Sequence, residues 1–283
     1  MLRPYFTRLL FQRLNEGKSI NLIGLPLSGC SECLYDVKML AVKKGIVTVY
    51  LDMKDFKYNY QGLLKSTHEQ LTVGSIEAKN ALPESTQNLA IVVSDYTNLE
   101  RNTFILLDHF ADILDNPEQR LPKSFFDDLN SLRNRTDIAI CCVTDKPHLH
   151  CKYYFEDGKG KINDTLSWLD LDPLLLPNLL DEEAAAAFDN HLENHPLWPQ
   201  EKVYRTAYIR VIQGNLHPVG ILRAISVDWD QHPAPIDIEH RLKRITHNFE
   251  ALYLRRPKKP TGLYQRFKKE ITDWVKIIKD TRG

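Results

Sequence analysis

The stretch "INLIGLPLSGCSECLYDVKML", residues 20–40, decides how the rest of this chain is read. Ile20 to Leu25 form a short apolar run, as expected of a strand buried on both faces. From about Ser31 the residues Leu34, Val37, Leu40 and Ala41 recur at helical spacing, and Gly45 supplies a stop. Between strand and helix lies "GLPLSGCS", in which Gly24 and Gly29 bracket four residues and Ser31 follows Cys30. Cys30 and Cys33 also spell C-x-x-C, so two chemistries compete for one segment.

Outward from this segment, strands and helices alternate. Leu9, Leu10, Phe11 and Leu14 predict an amphipathic helix over residues 3–16. Ile46 to Met53, "IVTVYLDM", is a second strand with an acid near its end. Residues 58–90 read as helices with a loop near Pro83, and "LAIVVSDY" (Leu89 to Tyr96) fits a strand or a buried helix equally. Phe104 to Leu107 form a buried strand ending at Asp108. "PKSFFDDLNSLRNRTD" is an amphipathic helix, and "IAICCVTD" (Ile138 to Asp145) a further apolar strand. Continuous apolar strands alternating with helices predict an α/β fold with a parallel sheet.

After residue 160 the pattern turns helical. "LLPNLLDEEAAAAFDNHL" predicts a helix with Asp181 as N-cap and Glu182 and Glu183 in its first turn. "YRTAYIRVIQGNLHPVGILRAIS" reads as helix, turn, helix, and "IEHRLKRITHNFEALYLRR" and "LYQRFKKEITDWVKIIKD" follow as two more. The expected division is a core over 1–160 and a helical lid and C-terminal region over 161–283.

Composition sets broad bounds. Lys+Arg and Asp+Glu number 37 each in 283 residues, so overall charge singles out neither nucleic acid nor membrane. The arginine-interrupted N-terminus does not read as a signal peptide, and no apolar run is long enough to span a bilayer. The cysteines, Cys30, Cys33, Cys141, Cys142 and Cys151, are odd in number and unevenly spread, which points to a reducing, cytoplasmic setting.

Gly24 to Ser31 match the phosphate-binding P-loop spacing G-x-x-x-x-G-K-[ST] except that Cys30 stands for the lysine. Such loops work because backbone N–H groups and a helix N-terminus surround the phosphates, with the lysine adding charge and the hydroxyl holding Mg²⁺. Asp108 ends a buried strand, where P-loop ATPases keep a magnesium-shell acid. With "LLDHFADIL" as a Walker B strand and "LRNRTDIAICCVTDKP" as the helix and strand bearing a sensor residue, the chain resembles the AAA+ and STAND classes of P-loop ATPases. "LPNLLDEEAAAAF" is similar to the helix that opens the STAND lid, and "QGNLHPVGILRAI" (Gly214, Asn215, His217, Pro218) to the turn that follows it.

The departures from that resemblance fall on the chemistry. Cys30 removes the lysine, and His109 stands beside Asp108 where these families usually place the acid that activates water. Lys38 lies about 10 Å along the helix from Ser31 and is no substitute. The resemblance therefore implies a degenerate P-loop, with Gly24, Gly29, Cys30, Ser31 and Asp108 as the nucleotide-facing residues and no catalytic set. It further implies a pseudo-ATPase, holding weakly bound ATP or ADP with magnesium or no cofactor at all. The expected role is adaptor or assembly subunit, partnered by other subunits such as an active ATPase or effector, in a mobile-element or defence system. A slow ATPase with a DNA-associated function is the alternative.

The thiol alternative also has a resemblance behind it. Strand, C-x-x-C, helix, "KKGI" and strand are similar to the opening of glutaredoxins, and a cysteine at a helix N-terminus has its pKa lowered. That fold needs a cis-proline loop facing the cysteines, for which "NALPES" around Pro83 is the candidate. A third reading joins His148, His150 and Cys151 of "KPHLHCK" to Cys30 and Cys33 as zinc ligands, although H-x-H-C matches no common finger. Finally, Arg255, Arg256, Lys258, Lys259, Arg266, Lys268 and Lys269, with Tyr253, Tyr264 and Phe267 interleaved, form either a solvated helix face or a patch for nucleic acid.

Overall fold

The computed structural model describes residues 1–72, 88–96, 102–114, 116–148, 151–154, 160–162, 171–233 and 237–253. Its elements run α1 (Pro4–Asn15), β1 (Ile20–Ile23), α2 (Cys30–Lys43), β2 (Val47–Asp52), α3 (Met53–Phe56), α4 (Tyr60–Leu71), α5 (Leu89–Tyr96) and β3 (Thr103–Asp108). Then come α6 (Lys123–Arg133), β4 (Ile138–Thr144), a small antiparallel pair β5 (Lys152–Tyr154) and β6 (Gly160–Ile162), and β7 (Asp172–Leu175). The remainder is helical: α7 (Asp181–Leu192), α8 (Trp198–Glu201), α9 (Arg205–Gln213), α10 (Pro218–Gln231) and α11 (Ile238–Tyr253).

Five strands form one sheet in the order β2-β3-β4-β1-β7, and every pairing is parallel. β1, β3 and β4 are buried at every position, which is why each is apolar at nearly every one. Alternate side chains divide between two cores. Phe104, Leu106, Ala139 and Cys141 join α1 and α2 on one face. Ile105, Leu107, Ile140 and Cys142 join α4, α5 and α6 on the other. The α/β architecture expected from the sequence is the one observed.

Local chemistry sets several boundaries. Pro4 opens α1, where its missing N–H would have no helical partner. Gly45 takes the left-handed φ of +72° beyond the end of α2. The ambiguous Leu89–Tyr96 segment is a helix, because Asn88 Oδ1 accepts from Ala90 N at 2.8 Å and so starts a helical turn. Asp181 is the first residue of α7 and not its N-cap. Leu180 holds the cap position, and its backbone N–H donates to Glu183 Oε2 at 3.0 Å.

β7 carries the sheet past residue 160, where the sequence pattern places the end of the core. It is a short edge strand along β1, a position that tolerates Pro173 and its missing donor. Beyond it α7, α9, α10 and α11 enclose a third core around Phe188, Tyr208, Ile225, Trp229 and Phe249. Leu2 and Leu27 of the first part pack against that core, so the helical region sits directly on the 24–29 loop.

Candidate functional site: the loop at the end of β1

Parallel pairing brings the strand ends to one edge of the sheet. The register sets Ile23 opposite Thr144 and Asp52 opposite Asp108. The loop leaves β1 at this edge, and its first amide is fixed there: Gly24 N donates to Thr144 O at 2.9 Å. Thr144, on the strand expected to bear a sensor residue, turns its hydroxyl to Asn21 Oδ1 at 2.7 Å. The loop thus starts from a rigid, fully buried base.

The two glycines are required by contact as well as by backbone. A Cβ on Gly24 would stand 2.4 Å from Cys30 Sγ and 2.8 Å from Ser28 Oγ. Gly29, at φ +104°, is the N-cap of α2, and no side chain caps the helix. Leu27 also has a positive φ of 60°, which is uncommon for a residue of its size. Two groups from the helical region hold it: Val219 N donates to Leu27 O at 3.2 Å, and the Leu27 side chain enters the third core. His217 Nδ1 hydrogen-bonds the neighbouring carbonyl of Pro26.

Cys30 does not imitate the lysine it replaces. Its side chain folds back into the loop, with Sγ 3.6 Å from Ser28 Oγ, and is only 6% exposed. Burial pushes its thiol up to about 12, against the opposing effect of the Ser28 contact. Cys33 points toward α1, 3.5 Å from Thr7 Oγ1, and burial pushes it up to about 11. Neither thiol is a thiolate near neutral pH, so the lowered pKa expected of a redox C-x-x-C is absent. The all-parallel five-stranded sheet, with its attached helical region, is likewise not a glutaredoxin fold.

Asp108 is buried, and its two oxygens are fully engaged. Oδ1 accepts from Ser31 Oγ at 3.0 Å and from His109 N at 2.8 Å. Oδ2 accepts from Tyr50 OH at 2.7 Å, and burial together with the adjacent carboxylate pushes the phenol well up, so it stays a donor. His109 takes a left-handed φ of 50° and points its Nδ1 at Asp52 Oδ1, 2.9 Å away. Tyr50 and the pairing of Asp52 with His109 are features of this site that sequence spacing did not single out. Their signal was the parallel register of β2 against β3.

The structure therefore brings Gly24, Gly29, Cys30, Ser31 and Asp108 together. The zinc reading does not hold: Cys151 packs in the core on the opposite face of the sheet from Cys30 and Cys33. Among the described residues no group of three His, Cys, Asp or Glu is placed to hold a metal ion. His150, Pro83 and the basic residues Arg255, Arg256, Lys258, Lys259 and Lys268 lie outside the described residues. No described helix is long and apolar enough to cross a membrane.

No protein-family model and no curated sequence matches this chain. Solved structures do. A chain in the structure of Drosophila ORC bound to DNA superposes with a TM-score of 0.54 at 11% identity, over 86% of this chain and 64% of that one. The Walker-type ATPase of Pyrococcus abyssi superposes with a TM-score of 0.52 at 12% identity, over 95% of this chain and 76% of that one. The fold is P-loop NTPase-like: a parallel α/β core followed by a mostly helical region. At these identities the likeness concerns the fold, and the chain spans under two thirds of the Drosophila protein it matches.

Proposed function

We propose that this AAA+-like chain is a pseudo-ATPase of STAND-like type that works as an adaptor or assembly subunit. The observation that carries the proposal is Cys30: a neutral, buried thiol occupies the interior of the loop where a phosphate-binding cation belongs. Loss of that cation removes transition-state stabilisation that hydrolysis of a triphosphate requires. His109 stands next to Asp108 in place of an acid that would activate water, and the neighbouring carboxylate of Asp52 is engaged by the His109 ring. The contacts of His217 and Val219 with the loop support an adaptor role, because the position of the helical region and the shape of the loop are tied together. Phosphate release from Mg-ATP by the purified chain is the test. Background release supports the proposal, and turnover that disappears in Asp108→Ala overturns it.

DNA association is a second reading, favoured by the likeness to a chain of Drosophila ORC in its DNA-bound structure and by the basic residues from Arg255 to Lys269. Duplex binding that weakens steeply with salt supports this reading, since neutralised phosphates release counterions. Absence of binding at low salt removes it.

A further inference from the structure

Arg3 directly precedes α1 and is 2% exposed. Its Nε donates to Pro177 O at 3.0 Å. Its Nη1 is buried and has no hydrogen-bond partner among the described residues. That nitrogen faces the start of α2: a Cβ on Gly29 would stand 2.5 Å from it. Gly29 has no side chain to offer as a cap, and no other side chain caps the helix. A guanidinium nitrogen without an acceptor thus lies against a helix N-terminus whose first amides have no helical partners.

Each half of this arrangement calls for the same missing group. A buried charge left unpaired is costly, and buried polar atoms in folded proteins almost always find partners. Burial draws the Arg3 pKa down, and Cys30, Cys33, Glu183 and Glu32 oppose that only in part. The amides at the helix start attract negative charge through the macrodipole. The carboxylates at this strand edge are already taken, Asp108 by Ser31, His109 N and Tyr50 and Asp52 by the His109 ring. An anion seated between Arg3 and the first turn of α2 satisfies both.

We propose that Arg3 supplies the cation that position 30 lacks and, with the uncapped first turn of α2, holds the phosphate chain of a nucleotide. The proposal rests on reading Gly24 to Ser31 as a phosphate-binding loop. Arginine suits the task because its planar fork donates to phosphate oxygens without losing its charge when buried. Leu2, whose Cδ2 would stand 2.7 Å from a Cβ on Gly29, is the neighbour that has to move aside to admit the phosphates. Because Arg3 comes from outside the loop, this arrangement retains a nucleotide without restoring the lysine's place in hydrolysis.

The test is binding of ADP and ATP to the full chain by calorimetry with magnesium present, with inorganic phosphate as competitor. Wild type is expected to bind ADP. Arg3→Met, which keeps the packing of the stem, is expected to weaken binding about tenfold or more, and Arg3→Lys to weaken it less. Adding Cys30→Lys to Arg3→Met is expected to recover binding, which also guards against a mere folding defect in the single variant. Wild-type affinity in Arg3→Met overturns the proposal, as does absence of nucleotide binding to the wild type. Displacement of ADP by equimolar inorganic phosphate overturns its nucleotide part. None of these outcomes touches the no-turnover reading, which falls only on phosphate release that depends on Asp108.

Discussion

Ser31 in the first turn of α2 donates its hydroxyl directly to Asp108 at the end of β3, across 3.0 Å and 77 positions of sequence. Tyr50 donates to the other oxygen of the same carboxylate. Side-chain hydroxyls thus engage both oxygens of Asp108. The direct bonds make Asp108 a structural pin. Asp108→Ala should therefore destabilise the fold, because it strands hydroxyl donors at about 1–3 kcal/mol for each buried group left unpaired. Urea unfolding checks this, with a loss of about 2–4 kcal/mol expected for Asp108→Ala and a smaller one for Asp108→Asn. An increase in stability would mean instead that the carboxylate is held ready for a ligand at the expense of the fold.

The burial of the thiols gives a chemical prediction. All five cysteines are buried, and Cys30 and Cys33 are pushed up to about 12 and about 11. A free thiol titrates near about 8.5, so only a small thiolate fraction is available in the native chain at pH 8. Disulfide-exchange reagents should react slowly with the native protein and at once after unfolding in denaturant. Rapid stoichiometric labelling of Cys30 at pH 7.5 would return the C-x-x-C to consideration as a redox site.

What the sequence made legible followed from burial. β1, β3 and β4 are apolar at nearly every position because helices cover both faces, and Asp108 stood out as a charge ending such a run. β7 was hidden because an edge strand of four residues containing Pro173 has neither length nor unbroken hydrophobicity. Asn88, which starts α5, was a readable cap signal ahead of a run whose own pattern was ambiguous. Tyr50 and Arg3 were beyond sequence reading for a different reason. Their importance comes from which neighbour tertiary packing sets beside them, Asp108 for one and Gly29 for the other. Spacing along the chain carries no trace of that.

Asp128 on α6 predicts a pH effect. Its Oδ2 accepts from Leu89 N at 2.8 Å and so pins α5 to α6. Burial raises its pKa, although the amides of Ala90 and Leu89 oppose the rise. Since the native value lies above the unfolded one of about 3.9, the native state holds the proton more tightly. The associated stability is fully present below about 3.9 and is lost as pH rises through the native value. Asp128→Asn cannot ionise and keeps an acceptor oxygen. Its stability relative to wild type should therefore increase with pH across that window, as read from urea midpoints between pH 4 and 7. A difference that runs the other way would show that the amides outweigh burial.

The helical region depends on a buried charge cluster. Arg244 binds Asp228 through two bonds, at 2.5 and 2.9 Å, and Arg241, 1% exposed, lies 3.5 Å from the same carboxylate and 3.4 Å from Glu201. Glu201 also accepts from Tyr208 OH at 2.6 Å, and Tyr208 in turn accepts from Trp229 Nε1 at 3.2 Å. The cluster ties α8, α9, α10 and α11 into the unit that packs on Leu27. Removing one partner leaves the other buried and uncompensated, at a cost of about 3–5 kcal/mol. Asp228→Ala should therefore unfold the helical region at markedly lower denaturant, followed by tryptophan fluorescence from Trp229. Asp228→Ala combined with Glu201→Gln, Arg241→Met and Arg244→Met removes the stranded charges, Glu201 included, and should recover part of the loss. A combined variant no more stable than the single one would show that these ion pairs contribute through their geometry and not through charge balance.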